Sequence, residues 1–71
     1  MKINSSNIAE TNYNAQDGTL TITFHSGKTY NYYGIDEKLY LSFIQAKSKG
    51  GFFADKIKNK FAYHIDNGYK F

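Results

Sequence analysis

The sequence predicts an α+β fold, in which a three-stranded antiparallel β-meander packs against two C-terminal helices. The meander is predicted by Thr19–Phe24, which alternates between threonine and large apolar residues as a half-buried strand does. Turn-forming residues stand on both sides of this strand, Asp17–Gly18 before it and His25–Gly27 after it. Beyond residue 35 the apolar spacing becomes helical. We expect the flanking strands near residues 9–13 and 29–33.

The turn at the end of this central strand decides which way Tyr30 and Tyr32 point. A two-residue primed turn would place both tyrosines on the threonine face. A three-residue loop with Gly27 in the left-handed region would instead place Ile22 opposite Tyr30 and direct both rings into the core. The primed turn requires a positive φ at Ser26, which serine disfavours. The sequence therefore favours the inward arrangement.

The first helix is predicted to begin at Asp36, because its carboxylate can cap the helix while Ile35 packs against Tyr40 one turn later. One apolar stripe follows, formed by Leu39, Tyr40, Phe43 and Ile44. We expect this helix to end by Gly50, since glycine suits the left-handed cap position.

A second, shorter helix is predicted over about residues 51–59. At about 100° per residue it presents Phe53 and Ile57 on one side. Its other side carries Phe52, Lys56 and Lys60. Beyond it, Phe61, Tyr63 and Ile65 alternate as in a short strand or an extended tail that ends at an Asn67–Gly68 turn. Residues 65–71 are left as an unassigned tail.

The size of the chain limits what its aromatic side chains can do. A single domain over residues 1–71 is close to the size at which folding is marginal, and it has no cysteine to form a disulfide or bind a structural zinc. Seven tyrosines and six phenylalanines must therefore supply much of the core. Few rings are free to bind a ligand.

Positive charge is concentrated near the carboxyl end. Residues 1–46 carry three lysines and four acidic residues, whereas residues 47–71 carry six lysines and two aspartates. This asymmetry is typical of domains that bind polyanions, and also of a solvated surface that keeps a small protein in solution. No apolar run approaches a membrane span or a signal peptide, so we expect a cytoplasmic protein with no membrane partner.

The segment Ser48–Gly51 has two interpretations. It would place unpaired backbone N–H groups and Lys49 at the start of the second helix, where phosphate binds favourably. Alternatively, its two glycines simply turn the chain between two packed helices. The stripe of Phe52, Lys56 and Lys60 also has two interpretations. The lysines could contact phosphates while the ring stacks on an unpaired base. Alternatively, the lysines snorkel around a buried ring.

Residues suited to catalysis or metal binding are few. His25, His64 and Asp66 are the main candidate ligands, but His25 lies far along the chain from the other two, and no third histidine or cysteine completes a set. The pair Asp36 and Glu37 is explained by the start of a helix. We therefore expect no metal, no cofactor and no enzymatic activity.

Residues spread along the chain resemble the KTSC domain, a short module named for the C-terminus of some lysyl-tRNA synthetases and also found alone in bacterial and phage proteins. The resemblance covers about residues 4–64. It rests on Ser5–Ile8, Gly18–Leu20, Phe24, Gly27, Tyr30, Tyr32, Tyr40, Ser48–Gly50, Phe52, Phe53, Ile57, Phe61 and Tyr63.

The resemblance implies a small domain without an established activity, for which RNA binding is proposed from the family's attachment to a tRNA synthetase. Family members commonly carry arginine between the two tyrosines and around the final helix, whereas this chain has Asn31 between them and no arginine at all. Lysine keeps the charge but lacks the planar fork and stacking face of arginine. If arginines make the family's contact, this chain should bind weakly and with a strong dependence on salt.

Together these observations predict a small basic module, a monomer or weak homo-oligomer, that binds RNA or single-stranded nucleic acid without catalysis. The predicted nucleic-acid or anion-binding residues are Ser48, Lys49, Gly50, Gly51, Phe52, Lys56, Lys58, Lys60 and Tyr33. The alternative is a protein-binding adaptor or phage-type inhibitor that docks on an acidic partner protein through the same face.

Overall fold

The computed structural model describes residues 2–3 and 5–66 and has an α+β fold. One antiparallel sheet contains four strands in the order of the chain, β1 Ile8–Asn14, β2 Thr19–Phe24, β3 Thr29–Tyr32 and β4 Tyr63–Asp66. Between β3 and β4 lie two helices, α1 Glu37–Gln45 and α2 Lys49–Phe52, and α2 continues directly into a π-helical segment, Phe53–Ile57.

The α+β class and the meander of β1 to β3 are confirmed, but the expected sheet of three strands is wrong. A fourth strand, β4, pairs with β3, with Tyr32 opposite Tyr63 and Tyr30 opposite Ile65. The helices therefore precede the last strand and are not C-terminal. The local sequence is compatible with either a strand or a tail here. The two could not be distinguished because the strand that pairs with this segment lies more than 30 residues earlier in the chain. The Asn67–Gly68 turn lies outside the described residues.

The register between β2 and β3 confirms that Tyr30 and Tyr32 point into the core. Ile22 lies opposite Tyr30, and Leu20 lies opposite Tyr32. The connecting loop contains three residues, since the Phe24 amide donates to the Lys28 carbonyl at 2.9 Å. Gly27 closes this loop with a φ of 96°, a left-handed value that glycine adopts without strain.

The core lies between one face of the sheet and the helices. Its buried members are Ile3, Ile8, Leu20, Ile22, Tyr32, Ile35, Phe43, Phe53 and Ile57. Rings link the two layers: Tyr32 meets Phe53 with centroids 5.4 Å apart, and Tyr13 of β1 stacks on Tyr40 of α1 at 4.4 Å. These contacts position the helical layer over β1 to β3.

The opposite face of the sheet is lined by short polar side chains. Thr21 donates to Asn31 across β2 and β3 at 2.6 Å, and the hydroxyls of Thr23 and Thr29 lie 3.3 Å apart. This is the threonine face that the alternation in β2 predicts. The polar groups of Thr21 and Asn31 thus pair with each other across the strands.

Helix α1 starts as expected and ends before Gly50, but Gly50 is not its cap. Asp36 caps the helix, with its carboxylate accepting the Leu39 amide at 2.7 Å. The helix stops at Gln45, and Gly50 is a helical residue of α2 rather than a left-handed cap. The chain restarts a helix early because Ser48 caps α2, accepting the amide of Gly51 on its hydroxyl at 3.1 Å.

Gly51 is needed for that cap. A β-carbon at this position would lie 2.9 Å from the Ser48 hydroxyl oxygen, closer than real side chains approach. The second helical stretch therefore begins at Lys49, two residues before the expected start. The prediction that Phe53 and Ile57 share its buried side is confirmed.

The turn between β1 and β2 holds the start of the helical layer. Gly18 has a φ of 72°, and its carbonyl accepts the amide of Ile35 at 2.9 Å. The Tyr13 hydroxyl donates to the carbonyl of the same Ile35 at 2.7 Å. Since Ile35 directly precedes the cap of α1, this turn determines where α1 begins over the sheet.

We expect Gly18→Ala to destabilise the fold more than Gly27→Ala does. Both residues have positive φ, which costs a residue with a β-carbon about 1–2 kcal/mol. At Gly18 the new carbon would also lie 3.1 Å from the Ile35 carbonyl oxygen, whereas nothing lies within 4 Å at Gly27. Urea unfolding of the two variants measures the difference, for which we expect about 1 kcal/mol. Equal losses would show that the contact with Ile35 is not tight.

We expect Tyr32 to make stability depend on alkaline pH. Its burial, with Tyr30 and Tyr63 as neighbours, raises the pKa of Tyr32 from 10.0 to about 12. The folded chain holds this proton more tightly, so the stabilisation is complete below pH about 10 and is lost as pH rises through about 12. Urea unfolding over this range should show a smaller loss for Tyr32→Phe than for the wild type. Tyr33→Phe, which removes a hydroxyl from an exposed ring, is the control, and parallel losses in all three proteins would contradict the assignment.

Candidate functional site

Two polar segments that are far apart in sequence meet at one surface. Ser5–Asn7 and Lys47–Gly51 together line a recess of about 280 Å³, here called the polar recess. These segments include two of the pieces on which the family resemblance rests. The polar recess therefore unites residues separated by about 40 positions in the chain.

Hydrogen bonds hold Ser5–Asn7 in place at the polar recess. The Ser5 hydroxyl accepts the amide of Asn7 at 3.2 Å, which closes a tight local turn. His25, in the loop after β2, bonds this turn twice: its amide donates to the Asn7 carbonyl at 2.9 Å, and its Nε2 lies 3.0 Å from the Ser5 carbonyl oxygen. These hydrogen bonds fix one wall of the polar recess.

A second recess of about 480 Å³ adjoins the first and has an aromatic lining, and is here called the aromatic recess. Its rings come from β2, β3 and the π-helical segment, namely Phe24, Tyr30, Tyr32 and Phe53. Phe24 packs edge-on against Tyr30 at 5.4 Å and against Phe53 at 5.6 Å. Lys28 and Lys58 also line it. The two recesses share Ser6, Asn7 and Gly50, so they form one continuous surface.

Lysine side chains give the joined recesses a positive charge. Among the described residues that line them, four are lysines and none is an aspartate or a glutamate. The lysines are Lys28, Lys47, Lys49 and Lys58. Because Lys28 comes from the first half of the chain, the positive surface does not belong to the C-terminal third alone. Such an arrangement attracts anions.

Five of the nine predicted site residues line these recesses. Ser48, Lys49, Gly50 and Gly51 line the polar recess, and Lys58 lines the aromatic recess beside Gly50. The Lys49 ammonium donates to the Ala46 carbonyl at 2.8 Å, so it caps the end of α1. The Gly51 amide is bonded to Ser48, which leaves the backbone at this helix start already partly satisfied.

The other four predicted residues lie outside both linings. Phe52 is half-buried and packs on Phe43 with ring centroids 5.9 Å apart. Lys56 is exposed and pairs with Asp55 at 3.6 Å. Tyr33 is 41% exposed just after β3. Lys60 is exposed beyond the π-helical segment. The ring of Phe52 therefore packs against the core, as in the interpretation of the stripe in which this ring is buried.

Sequence reasoning missed several residues that line the surface or adjoin it. Lys28 carried no local signal beyond its place in a turn, and His25 was considered only as a metal ligand. Tyr30 points to the core face as expected, but it is only half-buried and also lines the aromatic recess. Tyr63 of β4 is 50% exposed, and its ring lies 5.8 Å from that of Tyr30. Ser6 and Asn7 could have been found, because the family resemblance includes them.

In residues 2–3 and 5–66 no helix has the length and apolarity to cross a membrane. Within the same residues no three histidine, aspartate or glutamate side chains come close enough together to hold a metal ion.

Comparison with known proteins agrees with the resemblance seen in the sequence. The crystal structure of a KTSC domain protein from Yersinia pestis matches this fold with a TM-score of 0.88 at 36% sequence identity, over 90% of each chain. No curated protein matches. The family model of the KTSC domain matches residues 4–61, which include both segments of the polar recess. The chain therefore belongs to the KTSC domain family.

Proposed function

We propose that this chain is a non-catalytic module that binds single-stranded nucleic acid, RNA above all, at the joined recesses. The observation that supports this most directly is the lining itself, which combines aromatic rings with four lysines and no carboxylate. Lysine ammonium groups neutralise backbone phosphates, and rings stack on bases of any sequence. The ligand that needs both is an unpaired strand.

The two recesses divide these tasks. The aromatic recess is large enough for a base, since ligand-binding cavities start at about 300 Å³ and this one measures about 480 Å³. Lys28 and Lys58 line it and can contact the phosphates on either side of that base. The polar recess offers Lys47 and the hydroxyl and amide groups of Ser5–Asn7 to the next phosphate. Serine and asparagine side chains commonly bond phosphate oxygens.

Binding should be weak and sensitive to salt. Lys49 is engaged with the carbonyl of Ala46, which leaves Lys28, Lys47 and Lys58 as the recess lysines without that constraint. Three contacts to a single strand correspond to a slope of about −2 for log affinity against log salt. Lysine lacks the bidentate geometry of arginine, so these contacts contribute charge more than specificity.

An acidic protein surface is the alternative partner, because the same lysines would attract it. The exposed side chains of Tyr63 and Ile65, which are 50% and 40% exposed, are of the kind found at the centre of protein interfaces. Pull-down from a lysate treated with nuclease separates the two cases. Stoichiometric capture of one acidic protein, without oligonucleotide binding by the purified chain, would favour this alternative.

We expect Lys58→Gln to weaken binding of a fluorescent single-stranded RNA and to reduce the salt slope by about 0.7, the contribution of one phosphate contact. Fluorescence anisotropy over a series of salt concentrations measures both quantities. Lys60→Gln is the matched control. It removes the same charge at a position two residues further along the chain, and the Lys60 side chain lines neither recess. Equal changes in the two variants would show that binding depends on net charge rather than on this surface.

A further inference from the structure

Strand β4 carries apolar side chains that remain exposed on the core side of the sheet. Tyr63 lies opposite Tyr32, and Ile65 lies opposite Tyr30. Directly opposed residues in an antiparallel pair share one face, so Tyr63 and Ile65 continue the face that elsewhere forms the core. They are nevertheless 50% and 40% exposed. The helical layer leaves this part of the face accessible.

This exposed part is continuous with the aromatic recess. The ring of Tyr63 lies 5.8 Å from that of Tyr30 and 5.6 Å from that of Tyr32, and both of these tyrosines line the recess. Tyr30 and Tyr32 are themselves stacked at 6.1 Å. A ring surface therefore runs from the lysine-lined recess outward to β4.

An exposed ring favours unpaired over paired nucleic acid. Inside a duplex each base is covered on both faces by its neighbours, about 3.4 Å away. A base can stack on the ring of Tyr63, which is 50% exposed, only if that base leaves the duplex stack. Unpaired segments can splay their bases in this way, whereas paired ones cannot.

We propose that Tyr63 stacks on one base of a bound strand while the neighbouring base enters the aromatic recess. The ligand of this site is then a segment with two adjacent unpaired bases, whose phosphates contact the ammonium groups of Lys28 and Lys58. This inference rests on the proposed function. It adds a residue, Tyr63, that gives the site a preference for single strands over duplex.

The test uses the full chain and a short fluorescent oligouridylate, with a duplex and an oligouridylate containing two adjacent abasic positions as further probes. Tyr63→Ile removes the ring but keeps a residue that favours strands. We expect it to weaken oligouridylate binding by about fivefold to a hundredfold, the range for one stacked base. On the abasic probe the same substitution should have no effect. Duplex should bind the wild type less tightly than oligouridylate.

Two controls separate stacking from loss of structure. Tyr63→Phe keeps the ring and should bind like the wild type. Leu41→Ala removes a similarly exposed apolar side chain, 44% exposed on α1, that lines neither recess and should also leave affinity unchanged. Thermal unfolding confirms that each variant is folded at the temperature of the assay.

The outcomes distinguish this inference from the function on which it depends. Failure of the wild type to bind any oligonucleotide at low salt would overturn both. Binding by the wild type that weakens with Lys58→Gln but is unchanged by Tyr63→Ile would overturn only the role of Tyr63. Equal weakening by Tyr63→Ile on the intact and abasic probes would also overturn it, because the ring would then act without a base.

Discussion

The register between β2 and β3 is the constraint on which the rest of the structure depends. A three-residue loop closed by Gly27 pairs Ile22 with Tyr30 and Leu20 with Tyr32. Because side chains alternate across a strand, a shift by one residue would move both tyrosines to the threonine face. The core would then lose Tyr32, which is 3% exposed, and the aromatic recess would lose two of its rings.

The same register also supports the candidate binding surface. Tyr30 and Tyr32 pair with Ile65 and Tyr63 of β4. The position of these two tyrosines in β3 therefore determines where β4 joins the sheet. The loop that sets the register also carries His25, which bonds the Ser5–Asn7 turn through its amide and its ring. One hairpin thus organises the aromatic recess, the exposed strand beside it and a wall of the polar recess.

The polar recess is built from groups that already have a structural role. Ser48 caps α2, and Lys49 bonds the carbonyl at the end of α1. These bonds fix the backbone between the helices, so the side chains around it keep a defined position. Preorganisation of this kind reduces the entropy lost when a ligand binds. The same short segment therefore stabilises the fold and lines the candidate surface.

Local patterns determined the parts of the fold that depend on neighbouring residues. The alternation in Thr19–Phe24 indicated a strand, Asp36 indicated the start of α1, and positive φ at Gly27 followed from the unsuitability of Ser26. Each of these rests on sterics or on a hydrogen bond within a few residues. The left-handed cap expected at Gly50 was wrong, because Gly50 lies within α2, whose start at the Ser48 cap depends on a new helix forming beyond it.

By itself, the sequence determined the fold class, the meander, the side chains that face the core and a surplus of lysine. Tertiary structure alone decided that β4 would pair with β3, that Ser5–Asn7 would meet Lys47–Gly51, and that Lys28 would join Lys58 at one recess while Lys60 would not. The reason is physical. Such contacts join residues far apart in the chain, and their free energy comes from burial and pairing that exist only after the chain has folded.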